Sequence, residues 1–162
     1  MPMTAQPASW SMRRPGPGAV RALALAAGLC AAAGMAVAAA PAVTISHPWM
    51  RFLTPQIPAA GYFTLSNESA HPVTLTAAAS PDCGQLMLHR SVAANGTARM
   101  EMVRSIVVPA HGAVTFSPGG YHLMCMSPAA AMAPGATVPV TLSFADGSSL
   151  PASFPVYGAK GK

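Results

Sequence analysis

Residues 86–102 read Leu86-Met87-Leu88-His89-Arg90-Ser91-Val92-Ala93-Ala94-Asn95-Gly96-Thr97-Ala98-Arg99-Met100-Glu101-Met102. Asn-Gly between two strand-like runs is the strongest short-range hairpin signal, because both residues tolerate the positive φ of a tight primed turn. A two-residue turn pairs residues whose numbers sum to 191 and sets His89 opposite Met102; a four-residue loop shifted by one position pairs His89 with Met100. In either register His89, Met100 and Met102 share one face, since opposed residues share a face and so do residues i and i+2. Glu101 then points the other way, which keeps a hard carboxylate off that face.

Similar short runs recur outward from this hairpin, over 43–45, 61–66, 73–77, 113–117, 121–126, 138–144 and 153–156. Turn material separates them, including Asn67-Glu68-Ser69, His111-Gly112, Pro118-Gly119-Gly120, Pro134-Gly135 and Asp146-Gly147. Helix breakers interrupt every stretch long enough for a helical period, and 129–132 has room for one helical turn at most. Eight or nine short strands with evenly spaced turns predict an all-β sandwich or barrel.

The first forty residues read differently. Arg13 and Arg14 precede an alanine-rich apolar run from about Ala22 to Ala38, and small residues of the A-x-A kind follow. That order predicts a secretory signal peptide over 1–38 and a mature domain over 39–162. The run is short and alanine-rich for a membrane span, and Leu29 before Cys30 argues against lipidation there. Removing the signal takes three arginines away, so the formal net charge falls from +5 to +2. No basic run remains to bind nucleic acid. The four acidic residues, Glu68, Asp82, Glu101 and Asp146, are too few and too scattered for calcium cages or two-carboxylate hydrolysis. No G-x-S-x-G elbow is present either, so an enzyme is not expected.

A second cluster reads Tyr121-His122-Leu123-Met124-Cys125-Met126. With period 2, His122, Met124 and Met126 share a face, and Leu123 and Cys125 take the other. A methionine on a strand is ordinarily core filler and a single histidine ordinarily structural. Two imidazoles and two or more thioethers on compatible faces instead make a neutral, soft donor set. Such a set suits Cu(I), whereas zinc, calcium and magnesium favour harder or anionic ligands.

The spacing His89-x(10)-Met100-x(21)-His122-x-Met124 resembles the signature of periplasmic copper chaperones of the PCuAC type. Four further segments are similar to that family: His47-Pro48-Trp49-Met50-Arg51, the run from Ala59 to Asn67, the run from Pro118 to Met124, and the stretch from Gly135 to Leu142. The resemblance implies a cupredoxin-like Greek-key β-sandwich, monomeric, that binds Cu(I) through His89, Met100, His122 and Met124. It implies delivery of copper to receiving proteins such as cytochrome oxidase subunit II or Sco-type proteins. This chain departs from the family in carrying Arg90 after His89, where some members have methionine, and in a C-terminal tail without histidine. Met102 and Met126 are extra thioethers, read as apolar shields of the site or as alternative ligands.

Two other functions compete. A blue-copper electron carrier needs a thiolate ligand, and Cys125 is on the wrong strand face for one. A metal-free periplasmic adaptor would use the same sandwich. Cys83 shares the parity of His89 if its strand runs that far back. It either forms a disulfide with Cys125, which needs Cα atoms within about 7 Å, or leaves Cys125 as a small core residue. His47, His71 and His111 are expected at the surface, and Trp49, Tyr62 and Phe63 in the core.

Overall fold

A computed structural model describes residues 42–94 and 97–161. The signal peptide expected over 1–38 and the turn residues Asn95 and Gly96 lie outside the described residues. The described chain forms ten strands: β1 (Val43–Arg51), β2 (Ala59–Asn67), β3 (Val73–Ala79), β4 (Cys83–Ala94), β5 (Thr97–Met102), β6 (Ile106–Val108), β7 (Gly112–Phe116), β8 (Tyr121–Pro128), β9 (Thr137–Phe144) and β10 (Ser149–Tyr157). The three-residue β6 has no counterpart in the sequence reading, because a run that short carries no readable alternation. Its partner β3 supplies the pairing instead, with Val73 opposite Val108 and Leu75 opposite Ile106.

The strands follow the order β5-β4-β8-β7-β2-β1-β10-β9-β3-β6, with β8 also pairing the start of β2. The parallel step from β1 to β10, with Met50 opposite Val156, joins two sheets. The fold is an all-β, cupredoxin-like sandwich. Its core takes alternate residues from both layers: Leu65, Leu88 and Leu123 from one, Val140, Leu142 and Phe154 from the other, all buried. Phe63 and Phe116 stack with ring centroids 4.1 Å apart at the centre of this core.

β2 and β8 approach closely because β2 has Gly61 opposite Leu123. A Cβ at that glycine would sit 3.1 Å from the Leu123 Cβ, so a side chain there would push the two strands apart. Asn67 closes the same strand as a buried polar anchor. Its amide donates to the carbonyls of His71 at 2.9 Å and Pro109 at 3.1 Å, and its Oδ1 accepts from Ser69. These bonds fasten two connections that otherwise leave backbone carbonyls unpaired.

The aromatic expectation holds in part. Phe63 is in the interlayer core, but Tyr62 and Trp49 lie on the outer face of their sheet. Alternation explains this: Trp49 is opposite Tyr62, while the neighbouring Met50 and Gly61 face inward. Tyr62 is nonetheless buried, covered by Trp49 at 4.6 Å between ring centroids. His47, His71 and His111 are exposed, as expected. His47 occupies an irregularity of β1 with φ of 52°.

Cys83 and Cys125 form a disulfide with Cα atoms 5.4 Å apart. Strict alternation puts Cys83 on the His89 face; the structure packs it against the core instead, where Cys125 is fully buried. The physical reason is local. Cys83 is the first residue of β4, held by a turn to Ser80, and Ser127, which lies against the next residue Gly84, has φ of 47°, which interrupts the pleat. The bridge fastens the start of β4 to β8.

Candidate metal centre

The hairpin adopts the tighter of the two registers, with Ala94 opposite Thr97 and His89 opposite Met102. Met100 is opposite Ser91, two residues along the same face. Glu101 is on the other face and is tied to Arg99 by an ion pair of 2.7 Å. The long-range pairing is what sequence alone does not contain. β4 runs antiparallel to β8 with His89 directly opposite His122, and Met87 opposite Met124. The two imidazoles, 33 positions apart in the chain, thus become cross-strand neighbours. Their ring centroids are 5.9 Å apart.

Each imidazole is held differently. His122 is buried, and its Nδ1–H donates to the Gly120 carbonyl at 3.1 Å. That carbonyl also accepts the Ser91 N–H at 3.1 Å, so it locks the β7–β8 turn, β4 and the ring together. A ring that donates through Nδ1 presents a free lone pair at Nε2, the arrangement that orients a ligating histidine. His89 has no such anchor. Both its ring nitrogens are buried without a hydrogen-bond partner. An unsatisfied buried polar atom costs about 1–3 kcal/mol, and both nitrogens of this ring are open to a partner.

Burial, and secondarily the nearby His122, hold the His89 pKa below its ordinary value. The ring is therefore neutral at neutral pH, the state in which it can donate a lone pair. The sign of the stability effect follows. The unfolded ring binds a proton near pH 6.5 and the folded ring only below that. The His89 contribution is complete above about pH 6.5 and is lost as pH falls below it. Thermal melts between about pH 7 and pH 5 should show a steeper stability loss for the wild type than for His89→Gln. Equal slopes would remove His89 from the acid response.

The methionines separate by environment. Met50 and Met132 are core filler, both essentially without exposure. Met100 and Met102 are 64% and 63% exposed on β5, the strand at the end of the strand order. Met87, Met124 and Met126 are half-buried. Met100, His122 and Met124 line a common cavity of about 410 Å³, together with Arg51 and Tyr62. Met102 instead lines a second cavity of about 270 Å³ with Met87 and Arg104. Its exposure makes it a poor shield. Met87 has the same parity as His89; Arg51 and Tyr62 lie in two of the family-like segments, but only β1–β2–β8 pairing brings them to the cavity.

Of the expected set, Met100, His122 and Met124 share the cavity, and His89 is the neighbour of His122 across the ladder. A gap of 5.9 Å between ring centroids can be bridged by one ion with metal–nitrogen bonds of about 2 Å. Among the described residues no group of three or more His, Cys, Asp or Glu side chains converges. The further soft donors on this side are thioethers: Met100 and Met124 line the cavity with His122. Neither described cysteine offers the thiolate of a blue-copper centre, because the two are joined to each other.

Residues 43–156 match the family described as "Putative lipoprotein LpqE-like". The chain is 31% identical over 115 residues to the "Putative lipoprotein Lxx21020" of Leifsonia xyli subsp. xyli, covering 70% of this chain and 69% of that one. It is 32% identical to the Cu(I) form of DR1885 from Deinococcus radiodurans, solved in solution. The match has a TM-score of 0.60 and covers 78% of this chain and 85% of that chain. The copper-bound PCuAC domain from PmoF2 shares the fold with a TM-score of 0.61 at 23% identity, covering 72% of this chain and 93% of that domain.

Proposed function

This chain belongs to the LpqE-like family, and on that premise we propose that it is a periplasmic chaperone that carries copper as Cu(I). The observation that carries the reading is the opposed pair His89, with both ring nitrogens unpartnered, and His122, held through Nδ1, beside the thioethers of Met100 and Met124. The likeness to a Cu(I)-bound protein at 32% identity supports it. So does the family's description as lipoproteins, which fits an exported chain with a signal over 1–38.

In this reading His89, Met100, His122 and Met124 hold the ion. The set is uncharged, and thioethers favour the cuprous state. They also survive an oxidising compartment in which thiolates pair off, as Cys83 and Cys125 have done. The four ligands have unequal grips. His122 is buried and fixed by Gly120, whereas Met100 is largely exposed on an end strand. Met100 is therefore the first ligand to yield to an incoming donor, and His122 the last. Copper-receiving proteins such as cytochrome oxidase subunit II or Sco-type proteins are the proposed acceptors, served by a monomer. A metal-free adaptor gives no account of the unsatisfied His89 nitrogens.

The test is an anaerobic Cu(I) titration against a competing chelator, followed by X-ray absorption. One equivalent should bind without colour, with mixed nitrogen and sulfur scattering. No uptake, or scattering from oxygen alone, would overturn the proposal.

A further inference from the structure

The cavity beside the proposed copper ligands has one charged residue in its lining, Arg51. No aspartate or glutamate lines it, and none lines the second cavity, where Arg104 is again the only charge. Arg51 has no ion-pair partner among the described residues. Its guanidinium lies over the Tyr62 ring, 5.8 Å from the centroid, so a cation–π contact holds it at the cavity wall. The carboxylates of the domain are committed elsewhere or remote: Glu101 to Arg99, Asp146 to Ser148 in the β9–β10 turn.

The cavity mouth is apolar. Of the five large hydrophobic side chains exposed on the described surface, three line this one cavity: Leu53 at 45%, Ile57 at 46% and Met100 at 64%. An apolar centre with an arginine beside it is the composition of a protein contact surface. An unpaired cation there repels cationic partners and rewards anionic ones, so its chief effect is on specificity and encounter. Cu(I) in neutral ligands would add a second positive charge to the same face.

We propose that this cavity is the docking port for an acidic segment of the copper-receiving protein, whose carboxylate pairs with Arg51 while its apolar neighbours cover Leu53, Ile57 and Met100. The port rests on the chaperone reading for its purpose. Its binding chemistry needs no copper, so the two can fail separately.

The probes are two acetylated, amidated peptides with the same histidine and methionine donors, one carrying aspartates where the other carries asparagines. Binding to the copper-free protein is read from NMR shifts at Ile57, Tyr62 and Ser91. The aspartate peptide should bind about tenfold more tightly, the equivalent of one favourable charge pair. That preference should vanish in Arg51→Gln and persist in Arg90→Gln, whose arginine lies against Tyr121 outside the cavity. It should also shrink as salt rises from about 0.05 to about 0.5 M. Equal binding of the two peptides, no binding of either, or a preference that survives Arg51→Gln would overturn the port. A protein that takes up no copper yet keeps the Arg51-dependent preference would instead sink the chaperone reading alone.

Discussion

Met100→Leu combined with Met124→Leu should weaken Cu(I) binding by at least about a hundredfold, or about 2.7 kcal/mol. Disturbing a residue that merely orients a metal ligand typically costs about 10–100-fold in affinity, and this variant removes two proposed ligands outright. The substitutions suit the question because they spare the fold. Met100 is 64% exposed, where exchanges rarely shift stability by more than about 0.5 kcal/mol. Met124 is half-buried, and leucine nearly conserves its volume, at a cost below about 1.5 kcal/mol. Competition with a cuprous chelator under nitrogen gives the affinity, and a thermal melt gives the control. Met102→Leu should leave binding near the wild type, since Met102 lines the other cavity. A stoichiometry near one with unchanged affinity in the double variant would overturn the ligand assignment.

Breaking the disulfide should have the largest effect on stability. The bridge closes a loop of sequence separation 42, for which the chain-entropy estimate is about 4 kcal/mol. In a domain of this size that corresponds to a fall of roughly 15 °C in the melting temperature. Cys83→Ala with Cys125→Ala, compared with the wild type before and after phosphine reduction, measures it. The bridge fastens β4 to β8, the strands that carry His89 and His122, and Cys125 adjoins Met124. Copper affinity should therefore fall with stability. A stability loss under about 1 kcal/mol would show that β-pairing alone holds the two strands together, below the usual range for a native bridge of about 2–5 kcal/mol.

Much of the site was legible because strand alternation is a local property. The parity of His89, Met100 and Met102, the opposite heading of Glu101, and the inward heading of Leu123 and Cys125 all follow from period 2 and a short turn. The same rule failed at Cys83, where a turn and the positive φ of Ser127 break the pleat. Aromatic bulk, used without alternation, put Trp49 and Tyr62 in the interlayer core; alternation sets both on the outer face, where Tyr62 is buried under Trp49. Parity cannot grade burial. Met100 and Met50 are both methionines in strands, one mostly in solvent and the other without exposure.

The sequence by itself determined the all-β class, as sandwich or barrel, the register of the 86–102 hairpin to within two choices, and the soft, uncharged character of the donors. Those follow from side-chain chemistry and from interactions among near neighbours. Only the tertiary structure put His89 opposite His122, left both His89 nitrogens without a partner, and fastened His122 to the Gly120 carbonyl. It also joined the cysteines and brought Arg51 from β1 to the cavity of Met100 and Met124. The reason is the same in each case: these contacts join strands distant in the chain, and their register is set by the burial of a shared core.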